Sequence, residues 1–200
     1  LKIYPDISLR IMRIDKILST LKFSNPKRSR VLVLYNKTSD IVTKTILYDI
    51  DHSILPVNEN IIYISPLILV NMLKNLIIMY FWESGYRQLS LVYLLSCIEC
   101  IKPKIVITFI DNSFLFHALS RIYHKAEFYA IQNGVKAGVD LNEALSNYRN
   151  SRYVISMTNF ICFGEYDKDL YEKYGHKVDK FHPVGALIGG YYMTEMAENN

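Results

Sequence analysis

The chain has 200 residues, half of them hydrophobic and 21% charged, with eight glycines and six prolines, a balance that excludes disordered, collagen-like and low-complexity classes and allows a real core. Lys and Arg outnumber Asp and Glu by 23 to 19; apart from the run Lys27-Arg28-Ser29-Arg30 the excess is spread along the chain, so no basic stripe marks a nucleic-acid binder. Three cysteines are too few for a disulfide framework, which points to a reducing, cytoplasmic compartment.

In chain order, residues 1–30 form a polar lead-in containing Asn25-Pro26 and the basic run. Val31-Leu32-Val33-Leu34-Tyr35 is a short apolar, β-branched segment of the kind that forms a strand buried on both faces. Thr45 to Ile50 and Ile61 to Ile64 are further expected strands, separated by the polar, proline-containing stretch Asp51 to Asn60. Pro66 suits a first helical turn, and Leu67 to Trp82 follows with apolar residues on nearly all sides, so a buried helix ending near Gly85 is expected. Asn71, Lys74 and Asn75 inside it, and the length of the apolar stretch, speak against a membrane span. Leu89 to Ile101 is a second buried helix, stopped by Pro103.

Lys104 to Ile110 is the clearest strand. Asp111-Asn112-Ser113 follows directly, with a helical pattern through Tyr123, so strand, polar turn and helix make a βα unit. Glu127 to Ile131 repeats the strand, Gln132-Asn133-Gly134 is a turn, and Leu141 to Arg152 is helical or irregular. Phe160 to Phe163 is another strand ending in Gly164-Glu165, followed by a polar helix from Asp167 to Tyr174 that stops at Gly175. Phe181 to Val184 with Gly185 completes the alternation. Short apolar strands alternating with helices predict an α/β fold, a mostly parallel sheet covered on both faces.

Ligands of such sheets bind outside the carboxyl ends of the strands. Three of those ends carry polar or glycine residues: Asp111-Asn112-Ser113, Gln132-Asn133-Gly134 and Gly164-Glu165. In the first, one residue caps the helix, and Asp111 facing a crevice would serve as general base; capping alone is the competing reading. Gln132-Asn133-Gly134 is either a turn requiring positive φ or a set of donors and acceptors for sugar hydroxyls or phosphate oxygens, with Gly134 allowing close backbone approach. Cys97-Ile98-Glu99-Cys100 lies inside an apolar helix with no second pair, so its thiols are expected to be buried and inert. His117 is expected to be a packed core histidine or, less often, a base; His176 and His182 look like turn or surface residues. The dinucleotide, P-loop and nucleophile-elbow motifs are absent from the sequence.

Phe128-Tyr129-Ala130-Ile131-Gln132-Asn133-Gly134-Val135-Lys136, the preceding Ile107 to Ser113, and Ile161 to Glu165 leading to Val184-Gly185 resemble the amino-terminal half of bacterial surface carbohydrate biosynthesis proteins, glycosyltransferases of the GT-B type that assemble capsule and lipopolysaccharide. Ile54-Leu55-Pro56 and Ile61 to Pro66 fit the same pattern. The resemblance implies a Rossmann-like acceptor-side domain over residues 31–190, with residues 191–200 beginning the connection to a carboxy-terminal donor domain outside this chain. It further implies inverting, metal-independent transfer from a nucleotide sugar to a glycan or lipid-linked acceptor, with no cofactor and with peripheral contact to the inner face of the cytoplasmic membrane. On this reading Asp111 is the base, Asn112, Ser113, Gln132, Asn133 and Gly134 orient substrate, and Gly164, Glu165 and Gly185 shape the cleft. Related transferases often carry His-Gly where this chain has Asn133-Gly134, so no role of that histidine transfers. A sugar-nucleotide epimerase of the same architecture and a non-catalytic module binding a sugar or a partner protein are the alternatives. The fragment alone is expected to fold but not to turn over.

Overall fold

The computed structural model describes residues 20–35, 40–56, 61–81, 89–134 and 155–198. Their elements in chain order are β1 (Leu21–Lys22), β2 (Val31–Tyr35), α1 (Asp40–Thr45), β3 (His52–Pro56), β4 (Ile62–Tyr63), α2 (Pro66–Phe81), α3 (Leu89–Ile101), β5 (Ile105–Thr108), α4 (Phe114–Ile122), β6 (Glu127–Ile131), β7 (Ser156–Cys162), α5 (Glu165–Lys173), β8 (Lys177–Pro183) and α6 (Leu187–Glu198). Six strands form one sheet in the order β3-β2-β5-β6-β7-β8, and every pairing in it is parallel. This is the expected α/β architecture. Counting only these six strands, the order is 2-1-3-4-5-6, which is the flavodoxin-like arrangement of doubly wound sheets rather than the 3-2-1-4-5-6 of dinucleotide folds. It reverses between β2 and β5, and that pair of carboxyl ends is the switch point.

Both faces are covered. On one, Leu32, Leu34, Val106, Phe128 and Ala130 pack with α3 residues such as Leu91 and Ile98 and with Phe116, Leu119 and Tyr171 from α4 and α5. On the other, Val31, Val33, Ile107 and Ile131 form a smaller cluster that Leu187 of α6 joins. Because β2, β5 and β6 bury alternate residues on both faces, they have continuous apolar sequences.

Four expectations are corrected. Thr45 to Ile50 is not a strand: α1 ends at Thr45, Leu47 alone turns into the core, and Ile46, Tyr48 and Ile50 are exposed. The strand lies later, at His52–Pro56, inside the polar, proline-containing stretch expected to separate two strands. It occupies the sheet edge, where Pro56 costs no ladder hydrogen bond. The strand expected over Ile61 to Ile64 shrinks to Ile62–Tyr63 and leaves the main sheet to pair with Leu21–Lys22 of the lead-in. The helix Pro66–Phe81 is in place, started by Pro66 and by Ser65, whose Oγ accepts from the Ile68 amide at 3.1 Å. It is not buried, however. It packs on α3 with one side only, and Leu69, Val70, Leu73, Leu76 and Ile77 are exposed.

The helix α3, by contrast, is buried along most of its length. The boundary expected at residue 190 falls inside the continuous helix α6. Gly85 and the stretch Leu141 to Arg152 lie outside the described residues.

Candidate functional site

Parallel pairing puts the carboxyl ends of β5, β6, β7 and β8 on one edge, and the sequence-predicted residues follow those ends in turn. After β5, Ser113 is the cap: its Oγ accepts from the Phe116 amide at 3.4 Å. Asn112 is exposed. Asp111 points inward, with 0% exposure, and its Oδ2 accepts from the Tyr171 hydroxyl at 3.4 Å while its carbonyl lies 2.8 Å from His117 Nε2. A general base must come within hydrogen-bond reach of the proton that it removes. In this structure Asp111 is closed off from an acceptor by the packing of α4 and α5, so the carboxylate expected in the crevice sits in the core instead. His117 is the packed core histidine, its Nδ1 lying 3.2 Å from the Ser156 carbonyl.

After β6, Gln132 is buried and fully engaged. Its Nε2 donates to the Gly134 carbonyl at 3.2 Å and to Asp167 Oδ1 at 3.0 Å, and its Oε1 accepts from the Phe163 amide at 2.9 Å. The side chain therefore fastens the turn after β6 to the turn after β7, and its hydrogen-bonding atoms are engaged by the protein. Asn133 beside it is exposed and Gly134 half-buried. Gly134 lies outside the positive-φ region, so the turn does not use the freedom expected of it.

After β7, Gly164 is extended and precedes α5 without a side-chain cap. Glu165 opens that helix, where a carboxylate complements the helix dipole. It is exposed, with Lys168 Nζ at 3.8 Å. Among the carboxylates at this edge, Glu165 is open to solvent, whereas Asp111 and Asp167 are turned in. Cys162 is no nucleophile: burial, then the charge of Asp167, push its thiol up. After β8, the Val184 amide donates to the Cys162 carbonyl at 3.0 Å, and Gly185 follows at φ +89°, a conformation that favours glycine.

A cavity of about 520 Å³ opens here, lined by Ile131, Ile161, Gly185, Leu187 and Tyr191 with Ile46 across from them. Ile131 and Ile161 immediately precede Gln132 and Cys162, so the apolar floor and the polar rim come from the same strand ends. Sequence reasoning found Gly185 but not its apolar surroundings; the alternation of Ile131 and Ile161 with the residues facing the larger core is the signal that could have located them. A second cavity, of about 830 Å³, lies at the opposite edge among Arg30, Lys104, Arg121, Lys125 and Lys177. Arg121 and Lys125 there lie at or just beyond the carboxyl end of α4, where cations offset the helix dipole.

The expectation for His176 is corrected. It is buried, and its Nδ1 accepts from the Ile155 amide at 3.2 Å. His182 is half-buried, with Nε2 3.0 Å from Asn159 Oδ1. Cys97 and Cys100 are buried free thiols, and burial pushes Cys97 up from 9.0 to about 12. Among the described residues no group of three or more His, Cys, Asp or Glu is placed to hold a metal ion, and no helix is long and apolar enough to cross a membrane.

Fold and edge together define a doubly wound α/β protein with an apolar cavity at the carboxyl ends of its strands and exposed Asn133 and Glu165 on the turns that follow two of them. No family model, curated protein or solved structure matches the chain.

Proposed function

We propose that this chain is the acceptor-side domain of a GT-B type glycosyltransferase that moves a sugar from a nucleotide sugar to a surface polysaccharide or lipid-linked acceptor at the cytoplasmic face of the membrane. One observation carries the reading. The turns that follow β6 and β7, tied together by Gln132, present exposed Asn133 and Glu165, and the same two strands supply Ile131 and Ile161 to the apolar cavity at Gly185. Sugars and their lipid or aromatic aglycones need that pairing: hydrogen-bonding groups for the hydroxyls and an apolar surface, here with Tyr191, for the less polar face.

Glu165 takes over the role that the sequence suggested for Asp111. Its carboxylate is open to an incoming hydroxyl and would accept the acceptor proton as the oxygen attacks the anomeric carbon and the nucleotide leaves. Asn112 and Asn133 would orient the acceptor, and Gly164 and Gly185 would keep the edge low enough for it to enter.

The test is product analysis with the full-length protein, a panel of nucleotide sugars and glycan or lipid-linked acceptors. Transfer is expected, and Glu165→Gln should lower kcat by about 10²- to 10⁴-fold with little change in melting temperature, since the side chain is exposed. Sugar binding without turnover would replace this reading with that of a binding module.

A further inference from the structure

The amino edge of the sheet gathers positive charge that the fold itself does not use. Arg30, Lys104, Arg121, Lys125 and Lys177 line the cavity of about 830 Å³ there, against two carboxylates, Glu127 and Asp179. That is a surplus of three cations in one recess, where the whole chain of 200 residues has a surplus of four. The register of the sheet puts them together. Arg30 and Lys104 immediately precede Val31 and Ile105, which pair across β2 and β5, and Lys177 opens β8 opposite Ser156 of β7. Arg121 comes from the last turn of α4 and Lys125 from the turn that follows it.

Neutralisation within the protein does not explain the grouping. Ion pairs among the described residues join Lys27 to Asp51, Lys74 to Glu99 and Lys168 to Glu165, and none of them uses Arg30, Lys104, Lys125 or Lys177. Glu127 serves its own strand, its Oε2 accepting from the Tyr129 hydroxyl at 2.9 Å. The dipole of α4 favours Arg121, but like charges side by side on neighbouring strands, as Arg30 and Lys104 are, repel each other. A local arrangement that costs stability and is offset by nothing nearby is the kind expected at a functional site. The recess also holds a hydroxyl donor: Thr158 Oγ1 accepts from the Phe128 amide at 3.3 Å, which leaves its proton for an acceptor in the cavity.

We propose that this recess binds a compact soluble anion carrying two or more phosphate groups, held by Arg30, Lys104, Arg121, Lys125 and Lys177. The guanidinium groups grip phosphate oxygens in pairs and the ammonium groups add point charges, and five cations exceed what a single phosphate would neutralise. The volume lies within the range of small-molecule sites, roughly 300–1,000 Å³. Among the described residues no Phe, Tyr or Trp lines the cavity, so the phosphate groups and not a nucleobase are recognised; a nucleic-acid strand would call for a basic groove with stacking aromatics. The recess lies at the opposite edge of the sheet from the cavity at Gly185, so the inference does not rest on the transferase reading.

Isothermal titration calorimetry with sodium tripolyphosphate as the probe tests it, with sulfate at matched ionic strength as the reference anion. The wild-type chain should bind tripolyphosphate, bind sulfate more weakly, and lose affinity for both as salt rises. Lys104→Gln combined with Lys177→Gln should lower the affinity for tripolyphosphate at least about tenfold, whereas Asp179→Asn should raise it by removing a like charge. Lys22→Gln combined with Lys44→Gln removes the same charge away from the recess and should leave the affinity unchanged. The altered side chains are all exposed, so circular dichroism should not move; should the recess double variant misfold nonetheless, Lys177→Gln alone carries the same expectation of weaker binding. No binding by wild type, or equal weakening by the two double variants, would overturn the proposal. So would tighter binding of a single-stranded oligonucleotide or of phosphatidylglycerol vesicles than of tripolyphosphate, since that would make the edge a surface for nucleic acid or for lipid.

Discussion

α2 and α3 are neighbours of almost equal hydrophobicity with opposite fates. α3 lies between the sheet and α2, and nine of its 13 residues are buried. α2 is the next layer out, and its own leucines face away from the protein. Apolar content therefore settles that a segment will be helical and will seek an apolar medium, but not which medium it gets. What distinguishes the pair is the placement of their polar residues. Asn71 and Asn75, one turn apart, meet Ser96 and Glu99, and this hydrogen-bonded seam orients α2. The sequence expectation took the same polar residues as a reason to keep the helix out of lipid. They do argue against a span, yet because they are satisfied against α3 they leave the outer face purely aliphatic.

The sharpest way to break the comparison is to remove equivalent aliphatic bulk from both helices. Ile98→Ala in α3 should cost about 2–5 kcal/mol, since it opens a cavity in a close-packed core. Ile77→Ala on the outer face of α2 should cost under about 0.5 kcal/mol, as ordinary surface substitutions do. Urea denaturation of the two variants measures both, and equal losses would mean that the outer face of α2 is covered in solution.

The seam comes next. Asn75→Ala leaves Ser96 and Glu99 without their shared donor in a buried place and should cost about 1–3 kcal/mol. Asp111→Ala should fall in the same range for a related reason, since it strips a buried acceptor from Tyr171. That outcome, read by thermal melting, would separate Asp111 as a core group from Glu165 as an edge group, for which activity and not stability should move.

How much was legible follows from similar logic. β6 and α3 lie where the pattern put them, because Phe128-Tyr129-Ala130-Ile131 ahead of a turn, or ten apolar residues among thirteen before a proline, have few other uses. The displacement of β3 from residues 45–50 to His52–Pro56 was hidden because Ile46 and Ile50 look as strand-like as Ile54 and Leu55, and only the pairing with Val31–Tyr35 and the burial of Leu55 mark the second pair as the strand. At the site, the edge was legible and the orientations were not. Asp111 and Asn112 are adjacent and both polar, and which one turns inward depends on Tyr171, sixty residues away. Gln132 could be recognised as a polar strand end, but its role as a brace requires Phe163 and Asp167 to be seen beside it.

Alkaline pH should sharpen the contrast, because three of the groups that burial displaces, Tyr93, Cys97 and Cys100, sit on α3. Burial pushes Cys97 to about 12 and raises Cys100 and Tyr93 as well. A thiol whose folded value is raised contributes stability that is fully present below its unfolded value and is lost as pH climbs through the folded one, because the unfolded chain releases the proton first. For Cys97 the window opens near 9.0 and closes near 12, with a loss of about 1.4 kcal/mol per pH unit inside it. Melting temperature should therefore fall above pH 9, and Cys97→Ala, whatever its cost at neutral pH, should flatten that fall. An unchanged alkaline slope would mean that the thiol ionises in the folded state.

The smallest effect is expected where the two helices meet at the surface. Lys74 Nζ lies 2.7 Å from Glu99 Oε1, with the lysine side chain about half exposed. Exposed pairs of this sort contribute about 0–1 kcal/mol and weaken with salt. Glu99 also accepts from Asn75, so removing the lysine does not strand the carboxylate, and the stem of Lys74 runs beside an aliphatic stripe that methionine would extend. Lys74→Met should accordingly change stability by less than about 1 kcal/mol in either direction while increasing retention on a hydrophobic column, a readout that follows the apolar stripe and not the ion pair. A large loss of stability instead would show that the charged pair, rather than the asparagine seam, fixes how α2 sits on α3.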